Sequence, residues 1–313
     1  GLAKSDVDSE YVAAAVLFLG AVAFGAGLLA SVLAARAIAD PVTSVREGLE
    51  RIERGELEAR VPVDDGSEVG QLQAGFNRMV HGLRERQRLQ ELFGRHVGHE
   101  VAALALERDA DLGGESRPAS VMFVDLVGST AMAEVLPPGE VVATLNAFFD
   151  AVVDVVTSEG GWVNKFHGDG ALAVFGVPGH EPDHQERALR AARRLCTCLA
   201  ELADEHPGLD AGIGVSSGTV VAGNVGSEER YEYTVIGRAV NQAARLTELA
   251  KDRPGRVLAS GAAVQGAGSE KANWTSRGRI GLRGQRSPTD VYEPATPPAS
   301  ARLWDAGHAT DDV

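Results

Sequence analysis

Two aspartates in this chain stand where carboxylates could be presented to a metal-bound phosphate. In VMFVDLVGST, Asp125 ends an apolar strand pattern, and Gly128-Ser129-Thr130 opens the turn that follows. The free N–H groups of such a glycine-containing turn suit a phosphate chain. In GGWVNKFHGDGALAVF, from Gly160 to Phe175, two strand patterns (Trp162–Phe166 and Ala171–Phe175) flank the loop His167-Gly168-Asp169-Gly170. That composition favours a β-hairpin with Asp169 presented at its tip. Lys165 interrupts an otherwise apolar arm of it, where structure alone does not call for a charge. An acid at a hairpin tip can be a simple turn former, and one at a strand end can merely terminate the strand. Together, two such carboxylates can hold two hard cations bridging phosphate oxygens. Downstream, YEYTVIGRAVNQAARL sets Asn241 and Arg245 four apart on one helix face. An amide beside a guanidinium can orient a ribose and neutralise charge growing on phosphorus. Taken singly, either is equally a polar residue snorkelling from a half-buried helix.

Composition narrows the field. Among 313 residues, 30 are basic and 44 acidic, for a net charge of −14. No basic block occurs, which argues against nucleic acid as a partner. Cys196 and Cys198 lie two apart in a helical pattern and read as free thiols in a reducing compartment. The histidines show no metal-ligand spacing, there is no P-loop, and GIGVSSG (Gly212–Gly218) lacks the glycine spacing of a dinucleotide loop. The chain begins with Gly rather than Met and reads as a piece of a longer protein.

The elements that must position these residues follow in order. No charge occurs from Tyr11 to Ala35, enough to cross a bilayer as one helix. Acids precede the span (Asp6, Asp8, Glu10) and Arg36, Arg46, Arg51 and Arg54 follow it. This is the charge order of a transmembrane helix with a cytoplasmic C-terminal side, not of a signal peptide. Ile38, Val42, Val45, Leu49 and Ile52 form an a/d seam. A second seam runs through Val69, Leu72, Phe76, Met79 and Leu83, after a connector containing Pro62. Two short helices of this kind bury their stripes by associating, most simply as a dimeric four-helix bundle. A generic coiled-coil stalk would do the same. With Pro41 near the start of the first helix and Ser67-Glu68-Val69-Gly70 opening the second, residues 36–88 resemble a HAMP signal-relay module. Residues 89–116 read as a further helix to Arg108 and a linker over Asp111–Pro118.

Beyond the linker, strand and helix patterns alternate. Ser120–Val127 reads as a strand and Gly139–Ser158 as a helix with Val142, Leu145, Phe149, Val152 and Val156 inward. After the hairpin come a helix over Glu186–Glu205 and strands near Gly212–Ser216 and Val220–Asn224. Tyr233–Ile236 reads as extended, Val240–Lys251 as helix, and Arg256–Ala259 and Asp290–Tyr292 as short strands. The order predicts an α+β fold, a ferredoxin-like α/β sandwich with additions, ending in a disordered tail over 295–313.

The blocks FVDLVGST, NKFHGDGALAVFG, GIGVSSGTVVAGNVGS, YTVIGRAVNQAAR and LRG…VYE, in that order, resemble the catalytic domain of the class III adenylyl/guanylyl cyclases across 117–294. The resemblance implies two Mg or Mn ions held by Asp125 and Asp169 with the Leu126 carbonyl. It implies phosphate binding over Gly128, Ser129 and Thr130, purine reading by Lys165 and Thr234, and terminal-phosphate binding by Arg283. Asn241 and Arg245 would position the ribose and stabilise the transition state. It further implies a head-to-tail homodimer, the metal acids from one copy facing Lys165, Thr234, Asn241 and Arg245 of the other. Lys165 with Thr234 fits the adenine of ATP better than the Glu/Cys-type pair of guanylyl cyclases. The chain therefore reads as a membrane-bound adenylate cyclase. A catalytically silent dimerisation module and a guanylyl cyclase are the alternatives. Arg238, where the family often has Asp, has no reading from the sequence.

Overall fold

The computed structural model describes residues 2–63, 66–98, 101–102, 112–285 and 287–295. They fall into two compact units, one ending at Leu92 and one starting at Phe93. The expected end of the linker helix at Arg108, the start of the linker at Asp111 and the tail from 296 lie outside the described residues.

In the first unit, α1 runs unbroken over Leu2–Glu53 and contains Pro41. The sequence suggested a fresh helix start near Pro41, but a proline removes one backbone hydrogen bond and need not end a helix. Ser44 Oγ donates to the Pro41 carbonyl at 2.8 Å. Val16, Leu17, Phe18, Leu19, Phe24 and Leu28 are all exposed, and the helix is long and apolar enough to cross a membrane, with a mean hydropathy of 2.4. Gly55, at φ 82°, ends α1. The second helix, α2, spans Glu68–Val97. Val45, Val61, Phe76 and Val80 form a small core with Ile52 against it. Asn77 clamps the connector in both directions: Nδ2 donates to the Val61 carbonyl at 2.8 Å, and Oδ1 accepts from the Val61 N–H at 3.1 Å. Of the other seam residues, Val69 is half-buried and Ile38, Val42, Leu49, Leu72, Met79 and Leu83 are exposed within one chain.

The second unit is built on an eight-stranded sheet in the order β2-β3-β1-β4-β6-β8-β7, with β5 also on β4. Its strands are β1 (Gly113–Leu126), β2 (Trp162–His167), β3 (Gly170–Phe175), β4 (Ala211–Ser227), β5 (Arg230–Ile236), β6 (Val257–Ser260), β7 (Trp274–Ile280) and β8 (Thr289–Pro294). Its helices are α3 (Ser129–Val135), α4 (Pro138–Ser158), α5 (His184–Leu202), α6 (Arg238–Ala250) and α7 (Gly261–Gln265).

Side-chain alternation along β1 assigns its two faces. Met122, Val124 and Leu126 pack with Phe148, Val152 and Val156 of α4 and with Leu189 and Leu195 of α5. Ala119 and Val121 pack on the opposite face with Ala239 and Ala243 of α6. Of the inner positions expected on α4, Val152 and Val156 are buried, whereas Val142 is 55% exposed and Phe148 takes its place in the core.

Several boundaries differ from the sequence reading. Gly113–Pro118, expected as linker, continues β1 and pairs with Thr219–Asn224. The two strands expected around Gly212–Ser216 and Val220–Asn224 are one strand, β4. Both changes have one cause: β4 is paired along its length by β1, and its other edge serves β6 and then β5. The partners, which lie far off in sequence, extend the strand through Ser217 and Gly218. The strand β7 and helix α7 carried too little periodicity to be expected.

The first residue of α5, His184, is 6% exposed. Its Nδ1 lies 2.8 Å from Ser120 Oγ, which in turn lies 2.5 Å from Ser217 Oγ. Burial pushes the imidazole below its usual value of 6.5, only partly opposed by the charge of Asp183. The folded chain thus resists a proton that the unfolded chain accepts, so stability is full above 6.5 and declines as pH falls below it. Thermal melts of wild type should lose stability from pH 7 to pH 5, and H184Q should flatten that dependence.

Candidate active site

The hairpin closes one residue tighter at each end than its sequence suggests. His167 pairs with Gly170, leaving a two-residue turn of Gly168 and Asp169. Gly168 takes φ 66°, and a glycine at the first central position is what a type II′ connection requires. Because β3 pairs with β1 so that Gly170 faces Asp125, the turn sets Asp169 beside Asp125. The Leu126 N–H reaches the Asp169 carbonyl at 3.4 Å. A Cβ on Gly170 would stand 2.3 Å from Asp125 Oδ1, so the carboxylate lies directly over that glycine. The two acids singled out from the sequence are brought together. Gly128, at φ 71°, follows and leads into α3 with no side-chain cap on that helix. Gly128 and Thr130 are exposed and Ser129 is half-buried.

Lys251, just past α6, ion-pairs with Asp125 and lies 3.4 Å from Glu248. Burial, the largest influence, pushes the Asp125 carboxyl above its ordinary value, and the charges of Asp169 and Glu248 add to this. The Lys251 ammonium works against them. Burial would lower Lys251 too, but hydrogen bonding to Asp125 and the charges of Asp125 and Glu248 outweigh it and hold the ammonium above its ordinary value. The spot therefore gathers positive charge onto hard oxygen donors, a chemistry that fits a divalent cation. Among the described residues, no third His, Cys, Asp or Glu completes a cluster with them.

A cavity of about 590 Å³ opens beside this region, lined by Lys165, Thr234, Glu232, Phe123, Leu172 and Ile236 among others. Lys165 and Thr234, paired only by resemblance in the sequence, thus meet in one pocket. Lys165 pairs with Glu232, and burial lowers its ammonium below the ordinary value. Asp125, Asp169, Asn241 and Arg245 do not line this cavity. Lys165, four residues from Asp169, lines the cavity, and Asp169 does not.

Asn241 and Arg245 both lie on the exposed side of α6, opposite buried Ala239, Gln242, Ala243 and Leu246. The helix owes its placement to Gly212 and Gly214. A Cβ on Gly214 would stand 2.3 Å from the Ala243 carbonyl, and one on Gly212 would stand 2.7 Å from Lys251 Cγ. Only strand residues without side chains allow this approach. Arg283 is exposed, next to Leu282, which packs beneath α6 with Leu246 and Ala250. Arg238 Nη2 donates to Gln285 Oε1 at 3.3 Å, tying the start of α6 to the same loop.

Sequence reading missed Lys251, Glu232 and Asn164. Glu232 gave a weak signal, an acid between the two tyrosines of YEYT. Lys251 and Asn164 gave none, because their partners lie 126 and 70 positions away.

The family model for the adenylate and guanylate cyclase catalytic domain matches residues 114–293, and the chain belongs to that family. A HAMP domain matches residues 33–85. Two uncharacterized proteins of Mycobacterium tuberculosis, Rv1318c and Rv1319c, are 49% and 48% identical over 283 and 284 residues, each covering 90% of this chain. The chain spans about half the length of these curated relatives, 52% in each case. The crystal structure of the guanylyl cyclase Cya2 is similar at 32% identity with a TM-score of 0.53, covering 60% of this chain and 96% of that one. A bacterial light-regulated adenylyl cyclase shares the fold, with a TM-score of 0.64 at 21% identity, covering 77% of this chain and 69% of that one.

The closeness of Asp125 to Gly170 is directly testable. G170A places a methyl against Asp125 Oδ1 and 2.9 Å from the Val124 carbonyl. Overpacking of this kind costs about 1–3 kcal/mol, so the melting temperature should fall by several degrees.

Proposed function

We propose that this chain is an adenylate cyclase, converting ATP to 3′,5′-cyclic AMP and pyrophosphate at sites shared between two copies. The observation that carries this reading is the meeting of Lys165 and Thr234 in one largely apolar cavity. An ammonium donor and a hydroxyl there suit the N1 acceptor and 6-amino group of adenine. The juxtaposed acids Asp125 and Asp169 support the catalytic half of the reading. Together with the Leu126 carbonyl, they would hold two Mg or Mn ions. Such ions lower the pKa of the attacking hydroxyl and neutralise the polyphosphate.

The chain's own residues then divide the work. Lys165 and Thr234 hold the base, and Asn241 orients the ribose. The 3′-oxygen bonds to the α-phosphorus as its proton leaves to water. The bond from that phosphorus to the bridging oxygen breaks, releasing pyrophosphate. Arg245 meets the extra negative charge at phosphorus, while Arg283 and the Gly128-Ser129-Thr130 turn bind the departing phosphates. Since the acids and the purine-reading pair have separate surroundings within one chain, a site closes only when two copies associate. The exposed seam residues of α1 and α2 support a HAMP dimer that changes this association. In this reading α1 crosses the membrane, leaving the HAMP and cyclase domains on its cytoplasmic side.

Similarity to Cya2 favours a second reading, in which GTP is the substrate. Assays with ATP or GTP and Mn separate the two, and product from neither supports a silent dimerisation module. Cyclic AMP is the expected product. D125A and R245A should each lower kcat by at least about 100-fold. Coexpressing D125A with R245A should restore about a quarter of wild-type activity, since random pairing gives half heterodimers, each with one intact site of two. No recovery would overturn the shared site. Removing residues 36–88 should change cyclase activity without altering the choice of nucleotide.

A further inference from the structure

Asn164 stands at an irregularity in β2. Val163 pairs with Ala173 and Lys165 with Leu172, which leaves Asn164 as an extra residue opposite no partner in β3. A bulge re-aims the side chain it carries. Here the amide reaches β5, a strand that pairs with β4 and not with β2. Asn164 Nδ2 donates to the Tyr233 carbonyl at 2.7 Å. A backbone carbonyl only accepts, so its neighbour must be the amide nitrogen. The amide oxygen is thereby turned to Thr234, whose Oγ1 lies 2.9 Å from it. That oxygen also only accepts, so the threonine hydroxyl places its single proton there. Thr234 is 7% exposed and lines the cavity with Lys165. Toward the cavity, its oxygen offers lone pairs and no proton.

We infer that Asn164 is a specificity-determining positioning residue, which fixes the Thr234 hydroxyl as an acceptor and so selects a 6-aminopurine over a 6-oxopurine. The inference rests on the adenylate reading above and goes further by fixing how the base is chosen. Adenine presents an amino donor at position 6, and guanine presents a carbonyl acceptor. Against a hydroxyl free to rotate, either purine finds a match. Against one held by Asn164, guanine sets acceptor against acceptor and leaves both unpaired.

The test is kcat/KM for ATP and GTP on the full chain in detergent, with Mn. N164A should lower the ATP/GTP ratio about tenfold, the scale of one hydrogen bond. T234V should do the same, and the double variant should go no further, because both act through one oxygen. N164D, whose carboxylate still accepts from Thr234, should keep the ratio within about twofold. A merely structural role for Asn164 would depress both nucleotides together and leave the ratio unmoved. Purine riboside triphosphate, which lacks the amino group, gives a reading without altering Asn164. It should be about tenfold poorer than ATP on wild type and no poorer on T234V. If wild type prefers ATP but N164A retains the ratio, or the riboside analogue matches ATP on wild type, this inference alone is overturned. If wild type prefers GTP or turns over neither nucleotide, the adenylate reading is overturned and this inference with it.

Discussion

The contact on which the catalytic unit depends is the close approach of α6 to β4 over Gly212 and Gly214. It puts helix backbone where a side chain would otherwise stand, with the Ala243 carbonyl 2.3 Å from the position of a Cβ on Gly214. Three consequences follow from this one packing. The exposed side of α6 carries Asn241 and Arg245 at a fixed height above the sheet. The end of α6 delivers Lys251 to Asp125. The underside of α6 traps Leu282 and with it the loop that bears Arg283. A larger residue at either glycine would lift the helix and move all three together.

Charge organises the region next to that contact. Asp125 is half-buried beside Asp169, a pairing that disfavours two negative charges. Lys251 supplies the compensating positive charge within the chain. The same electrostatics that make Asp125 uncomfortable alone make the pair of acids receptive to a cation. In the neighbouring cavity, Lys165 is balanced by Glu232 among largely apolar residues. Two opposite charges, an acid and an ammonium, are thus each balanced locally within the sheet domain.

The first unit follows a different logic. Its small core of Val45, Val61, Phe76 and Val80 is held in register by Asn77, while half of the two apolar seams stays exposed. The stability of this helix pair therefore depends on what covers those seams.

Much was legible in the linear chain because it depended on local rules. The uncharged run from Tyr11 to Ala35, the heptad spacing, the glycine-flanked Asp169 and the four-residue step from Asn241 to Arg245 are all short-range patterns, and steric or periodic constraints give each a definite form. What the sequence could not determine was set by partners far off in the chain. Gly113–Pro118 is extended because β4 pairs with it. Lys251 meets Asp125 because a helix lies on two glycines. The direction of the Thr234 hydroxyl likewise depends on an amide 70 positions away. Residue type and spacing determined which chemistry was available, whereas only the folded sheet decided which groups face each other, since hydrogen bonds and ion pairs depend on distance in space.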